Sequence, residues 1–351
     1  MIEISKFLKY LVLLICLVGS MLLVGCLSDF FPYVFQEKEE PRTVIPEEPE
    51  QGPADSEEEK PPEGVLYLKV YFLEGKGNYL IPVTAAIPWT DGVARAALQR
   101  LIEGPTPSQE MRYGLSSIMS PTTEIRGLTI RDGLAKVDFS VSFLSYDPGL
   151  ERQVLNSVVF TLLQFPTVKD VQILVEGFAP ELFPGGTPGK GTFSRERGLN
   201  LEVAEGVTDF ENTQPLTLYF CTVLGENDIF YVPVTRVISS DDDIIKASIN
   251  ELLKGPRPNS HLFSELPPGT ALRNYSFQDG MLVLDLTNDL LNYKGGLSGE
   301  KNILAQLMLT LTEIPDVEKV QLLIEGRMIE LTYGTSLLKP ISRPLVINRL
   351  L

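Results

Sequence analysis

Apolar positions recur at helical spacing in two windows of the chain, and each window has a counterpart about 150 residues later. Val93, Ala94, Leu98, Leu101 and Ile102 lie on one face of a predicted helix, and Ile244, Ile245, Ile249, Leu252 and Leu253 repeat that face 151 residues on. Both helices stop at Gly-Pro-x-Pro, at Gly104–Pro107 and Gly255–Pro258. Glycine takes a positive φ that ends a helix, and proline does not continue one. A second pair of helical faces follows, with Val154, Leu155, Val158, Val159 and Leu162 matched by Ile303, Leu304, Leu307, Met308 and Leu311. Between the helices, GLTIRDGLAKVDFS (127–140) and YSFQDGMLVLDLT (275–287) alternate apolar and polar residues around Asp-Gly, a hairpin signal. Before each first helix stands a strand, YLIPVTAAI (79–87) or FYVPVTRVI (230–238). After each second helix, VKDVQILVEG (168–177) or VEKVQLLIEG (317–326) predicts another.

The order is β-β-α-β-β-α-β, twice. The predicted fold class is α+β, two tandem copies of a small module in which two helices pack on a mixed sheet and enclose a core. The expected boundaries are 65–200 for the first module, 201–214 for a linker and 215–351 for the second module.

The first 64 residues follow another logic. Lys6 and Lys9 precede an uncharged run, Leu11–Val24, which is too short for a comfortable membrane span and ends at Leu23-Val24-Gly25-Cys26. That pattern reads as a secretory signal over 1–25 and resembles the lipobox of bacterial lipoproteins, in which the cysteine sulfur takes a diacylglyceryl group. Cys26 is therefore the expected lipidation site; the alternative is an uncleaved anchor with an incidental cysteine. Both readings place the modules outside the cytoplasm, attached to the cell membrane. Residues 26–64 form the expected linker, and their stretch 36–63 holds 11 acids, 3 bases and 6 prolines. Such a composition cannot offset chain entropy by burial, so a disordered, semi-extended stalk is expected, reaching up to ~85 Å.

Charge and composition narrow the chemistry. The formal net charge of −16 disfavours nucleic acid as a partner. One histidine and three cysteines exclude multi-histidine and four-thiolate metal sites, and no cofactor is expected. Cys16 leaves with the signal and Cys26 is lipidated, which makes Cys221, inside an apolar run, a buried inert thiol. His261 has no second histidine and reads as a loop residue. Asp138 and Asp285 end equivalent strands, one per module, and suit turn or cap duty better than paired acid–base work; Glu176 and Glu325 receive the same reading. GGTPGKG (185–191) lacks the first glycine and the Ser or Thr of a phosphate loop and reads as a flexible loop. Trp89, near a helix start, reads as a packing residue more readily than as a sugar platform. No catalytic residue is assigned.

The ordered set of motifs resembles the GerM family of sporulation and spore-germination lipoproteins. The residues that carry the resemblance are the Val/Ile-Pro-Val-Thr strands, Leu252–Pro256 and its counterpart Leu101–Pro105, the Leu-Pro-Pro-Gly-Thr loop at Leu266–Thr270, and the two Glu-Gly strand ends. The resemblance covers about residues 65–351; the first copy departs from it at Ile118–Thr122. It implies modules related to the ring-building modules of secretion systems. It also implies a role outside the membrane in the spore envelope; with no catalytic residue assigned, the expected function is that of a non-enzymatic, membrane-anchored assembly factor with envelope or sporulation proteins as partners. A peptidoglycan-binding or wall-remodelling factor is the rival reading.

Overall fold

The computed structural model describes residues 64–350 except 77, 78 and 241. The predicted signal, Cys16, Cys26 and the acidic stalk lie outside the described residues.

The first module runs β1 (Val65–Glu74), β2 (Leu80–Pro88), α1 (Val93–Glu103), α2 (Pro107–Tyr113), β3 (Leu115–Ser116), β4 (Ile125–Arg131), β5 (Leu134–Phe139), α3 (Glu151–Leu162) and β6 (Asp170–Val175). A short β7 (Glu202–Val203) leads to the second, with β8 (Thr213–Leu224), β9 (Asp228–Ser239), α4 (Ile244–Lys254), β10 (Leu272–Gln278), β11 (Met281–Leu286), α5 (Gly296–Leu311), β12 (Lys319–Ile324) and β13 (Ile341–Ser342). The strands of each module divide between two sheets rather than sharing one. An antiparallel hairpin, β1–β2 or β8–β9, forms one sheet with a short third strand. The other is mixed: β4–β5 and β10–β11 are antiparallel, while β5–β6 and β11–β12 are parallel because a helix carries the chain between them.

Local chemistry explains these elements. Asp132-Gly133 and Asp279-Gly280 turn their hairpins with positive φ at both residues (51° and 83°, 49° and 78°), the pair of angles a tight primed turn needs. Gly104 and Gly255 end their helices at φ 71°, ψ −176° and φ 85°, ψ −175°, a region that essentially only glycine visits. A Cβ on Gly104 would also sit 2.8 Å from the Ser117 Cβ. Pro107 does more than follow a stopped helix: it opens α2, which Thr106 caps by accepting from the Gln109 N–H while the Gln109 side chain accepts from the Thr106 N–H.

The helical faces anticipated from periodicity point to the cores, although Val93 of α1 and Ile244, Ile245 and Leu253 of α4 are only half-buried at their margins. Ala94, Leu98, Leu101 and Ile102 of α1, and Ile249 and Leu252 of α4, point inward, as do all five apolar positions named on α3 and on α5. Each module has its main core, but the division is not clean. Leu224, Phe230 and Val232 of the β8–β9 hairpin belong to the first module's core, where Phe230 packs on Tyr113 with ring centroids 5.4 Å apart. The segment expected as a linker is also built in: Glu202–Val203 runs parallel to Arg236–Val237 of β9, and the Ala204 N–H donates to the Val237 carbonyl.

Candidate functional site

The two copies of Pro-Val-Thr meet at the junction between the modules. On the side of β2 away from β1, Pro82 offers a carbonyl and no N–H, and Thr84 offers both backbone groups and a hydroxyl. Pro233 and Thr235 of β9 do the same 151 residues later. Two crossing tails satisfy these edges. Leu199 pairs with Thr235, donating its N–H to the Thr235 Oγ1 (2.9 Å) and accepting from the Thr235 N–H (2.8 Å). Ile347 pairs with Thr84 in the same way (3.0 and 3.2 Å). Each tail thus docks on the other module's strand.

The next residue in each tail is an asparagine with left-handed backbone, Asn200 (φ 51°) or Asn348 (φ 53°). Asn200 accepts from the Leu80 N–H through Oδ1 (2.9 Å) and donates through Nδ2 to the carbonyls of Leu80 (2.9 Å) and Pro233 (2.7 Å). Asn348 accepts from the Tyr231 N–H (2.7 Å) and donates to the carbonyls of Tyr231 (2.7 Å) and Pro82 (2.7 Å). Every partner maps onto its counterpart by 151 residues, so the junction has an approximate two-fold symmetry.

Two arginines repeat here as well, but the charges around them do not, since Gln164 stands where the second copy has Glu313. Arg195 donates to the Leu163 carbonyl (3.1 Å) near the end of α3, and Arg343 donates to the Leu309 carbonyl (2.9 Å) near the end of α5. Glu313 pairs with Arg343 (2.6 Å) and lies 3.9 Å from Arg195. Lys69 faces this group; burial lowers its pKa to about 8, Arg343 and Arg195 push the same way, and Glu313 opposes them. On β9, Arg236 is buried between Glu202 (2.5 Å) and Glu251 (2.9 Å), which joins the first module's tail to the second module's first helix.

The repeated carboxylates close turns within their own modules. Asp138 accepts from the Gly177 N–H (2.8 Å) and Asp285 from the Gly326 N–H (2.8 Å). Glu176 accepts from the Val141 N–H (2.9 Å) and pairs with Arg126; Glu325 accepts from the Asn288 N–H (3.1 Å) and pairs with Arg273 (3.2 Å). Two further glutamates, Glu151 and Glu300, escaped the sequence reading. Each is buried, Glu151 as the first residue of α3 and Glu300 in the second turn of α5, and takes backbone N–H groups of a loop, Gly185 and Thr187 for Glu151, Tyr333 and Thr335 for Glu300. Burial works to raise both carboxyl pKa values, but these hydrogen bonds outweigh it and hold them below the ordinary value. GGTPGKG is thus pinned by Glu151 rather than free, and a Cβ on Gly189 would lie 2.5 Å from the Pro180 carbonyl oxygen.

The remaining candidates disperse. His261 sits exposed in a loop with φ 59°. Trp89, expected to pack, is 63% exposed, because its backbone N–H donates to the Gly64 carbonyl at the module's entry while its ring faces solvent. Cys221 is buried against Gln306 (4.0 Å), and burial, then the charge of Glu265, pushes its thiol pKa well up. No group of three or more metal-ligating side chains occurs among the described residues.

Two regions of the chain, residues 69–180 and 217–330, match the model of the Germane family, described as sporulation and spore germination. The chain belongs to this family. It is 34% identical over 292 residues to the spore germination protein GerM of Bacillus subtilis, covering 80% of this chain and 78% of that protein. Its structure resembles the tandem GerMN domains of the B. subtilis sporulation protein GerM, with a TM-score of 0.71 and 31% identity over 81% of this chain and 99% of the other. Both crossing tails fall outside the two matched regions. A sequence signal for them existed nonetheless: Ser194-Arg195 and Ser342-Arg343 each precede their asparagine by the same spacing.

Proposed function

We propose that this Germane-family protein is a non-catalytic lipoprotein, anchored through Cys26 on the extracytoplasmic face of the cell membrane, that helps assemble an envelope protein complex in spore formation or germination. The observation that carries the reading is the junction. Crossing tails, reciprocal asparagines and shared core residues clamp two related modules into one body, so each module's outer surface is held at a defined place relative to the other. That arrangement suits a scaffold. The carboxylates repeated in both copies are engaged in turns and loops, which supports a structural use of these residues.

The outer surfaces are not duplicates. Val141, Phe178 and Leu182 are 61%, 78% and 62% exposed at one tip of the first module. The same backbone positions in the second module, fixed by matching hydrogen bonds and bridges, carry Asn288, Arg327 and Glu330. At these three positions one copy carries apolar side chains and the other polar ones, while the second copy exposes Met328 and Tyr333 (54% and 56%) elsewhere in its own loop, so the two surfaces differ in pattern, which fits two different protein partners. The stalk would let the clamped modules search near the membrane at high effective concentration.

The test is crosslinking in sporulating cells with the native protein, Cys26→Ser and Phe178→Asp. Cys26→Ser should lose lipid labelling and signal cleavage, and Phe178→Asp should keep its fold but lose a crosslinked protein. Unchanged labelling in Cys26→Ser refutes the anchor. Capture of purified peptidoglycan in place of any envelope protein would favour the wall-binding reading.

A further inference from the structure

Beside the junction lies a cleft of about 370 Å³, between the start of α3 and the 257–260 loop of the second module. Its wall includes Tyr79, Arg152, Gln153, Glu202, Arg257 and Asn259. The unspent charge here is guanidinium, and the unspent amides beside it can each present a donor. Arg152 has no acidic partner among the described residues, and Gln153 and Asn259 make no side-chain hydrogen bond there. Glu202 is the one carboxylate on the wall, and Arg236 already takes it (2.6 Å and 2.5 Å). Arg257 uses one nitrogen on the Val203 carbonyl and approaches Glu202 only to 4.0 Å. A chain of net charge −16 therefore turns a local surplus of guanidinium and amide donors into a concave site.

The symmetric counterpart shows that this opening is particular to one side. Gln153 corresponds to Asn302, and Leu80 to Tyr231. There, the Tyr231 hydroxyl donates to the Asn302 Oδ1 (3.1 Å) and the Asn302 amide reaches Glu265 (3.5 Å), so the chain's own groups satisfy one another. On the first side, Leu80 has no hydroxyl to offer and Gln153 is left open.

We propose that the inter-module cleft binds an oxyanion, a carboxylate or phosphate carried on a small polar group, between Arg152 and Arg257. Guanidinium groups match both oxyanions with paired donors, and the volume suits a ligand of sugar or short-peptide size. Tyr79 supplies a flat wall beside the charge.

Calorimetric titration of the full chain with inorganic phosphate and, separately, acetate, at ionic strength held constant with chloride, tests this. One saturable site is expected for at least one of the two probes, and which probe binds identifies the oxyanion. Arg152→Ala should weaken binding at least tenfold. Lys301→Ala, the exposed counterpart of Arg152 on the closed side, should leave it unchanged and controls for charge alone. Absence of saturable binding for both probes, or equal loss in the two variants, overturns the proposal. Circular dichroism of both variants confirms that neither loss reflects unfolding.

Discussion

Replacing Asn200 by alanine removes one half of the symmetric clasp. Three hydrogen bonds go at once, at 2.7 to 2.9 Å, and Leu80, whose N–H is one of the partners, is 1% exposed. A buried backbone group left unpaired costs about 1–3 kcal/mol. Alanine must also adopt φ 51°, which adds about 1 kcal/mol. The expected loss is about 3 kcal/mol, a large share of the stability of a domain pair. Asn200→Gly tolerates the backbone angle and should be about 1 kcal/mol less damaging, which separates strain from hydrogen bonding. Because Asn348 makes the matching three bonds at φ 53°, Asn348→Ala should lose a comparable amount. The double variant should be the least stable of the set, while the Leu199–Thr235 and Ile347–Thr84 pairs, the Arg236–Glu202 ion pair and the shared core still join the modules. Urea unfolding followed by far-ultraviolet circular dichroism is the appropriate assay; the exposed Trp89 makes fluorescence a weak reporter. Single variants within about 0.5 kcal/mol of the native protein, the range of ordinary surface changes, would refute the clasp.

Lys69 gives a pH-dependent test. Its folded pKa, about 8, lies below the ordinary 10.5, so between these values the unfolded chain binds more protons and stability should rise with pH. The full gain, at most about 3 kcal/mol, is cut short near pH 10, where unfolded tyrosines ionise while Tyr71, raised to about 12 by burial, does not. Lys69→Met should flatten that rise and increase stability at pH 7; a slope identical to the native protein's in thermal unfolding at several pH values contradicts the assignment. The duplication can be tested in the cores: Leu101 and Leu252 are each 1% exposed, so alanine at either should cost about 2–5 kcal/mol. Gln99→Ala, on the exposed face of α1, should be nearly silent in the same denaturation series, and a silent Leu101→Ala beside a severe Leu252→Ala would break the equivalence of the copies.

Much of the architecture was legible along the chain because local rules encode it. A helix must bury one stripe, so Leu98, Leu101 and Ile102 announce their face by spacing alone. A hairpin turn needs positive φ, so Asp132-Gly133 and Asp279-Gly280 announce the turns, and Gly104 and Gly255 mark helix ends whose backbone angles favour glycine. Asp138 and Asp285 could be read as turn residues because their position at a strand end limits what they can reach. The same local logic misled where two uses of a residue compete: Pro107 stops nothing more, since it starts α2, and Trp89 follows a strand end that turns its ring outward.

What the tertiary structure alone decided depends on groups far apart in sequence. Asn348 meets the Pro82 carbonyl 266 residues away, and Asn200 meets Leu80 across 120. No periodicity carries that information, since an asparagine in an irregular tail looks like any loop residue until the strand edge it completes is placed beside it. The Pro-Val-Thr repeat was visible as a motif, but its reason lies in the opposing module, where proline withholds an N–H and threonine pairs with the crossing tail. The donor-lined cleft has the same origin. Residues from a strand, a helix start and a distant loop become neighbours only once the modules are clamped, and Leu80 in place of a tyrosine leaves that side open.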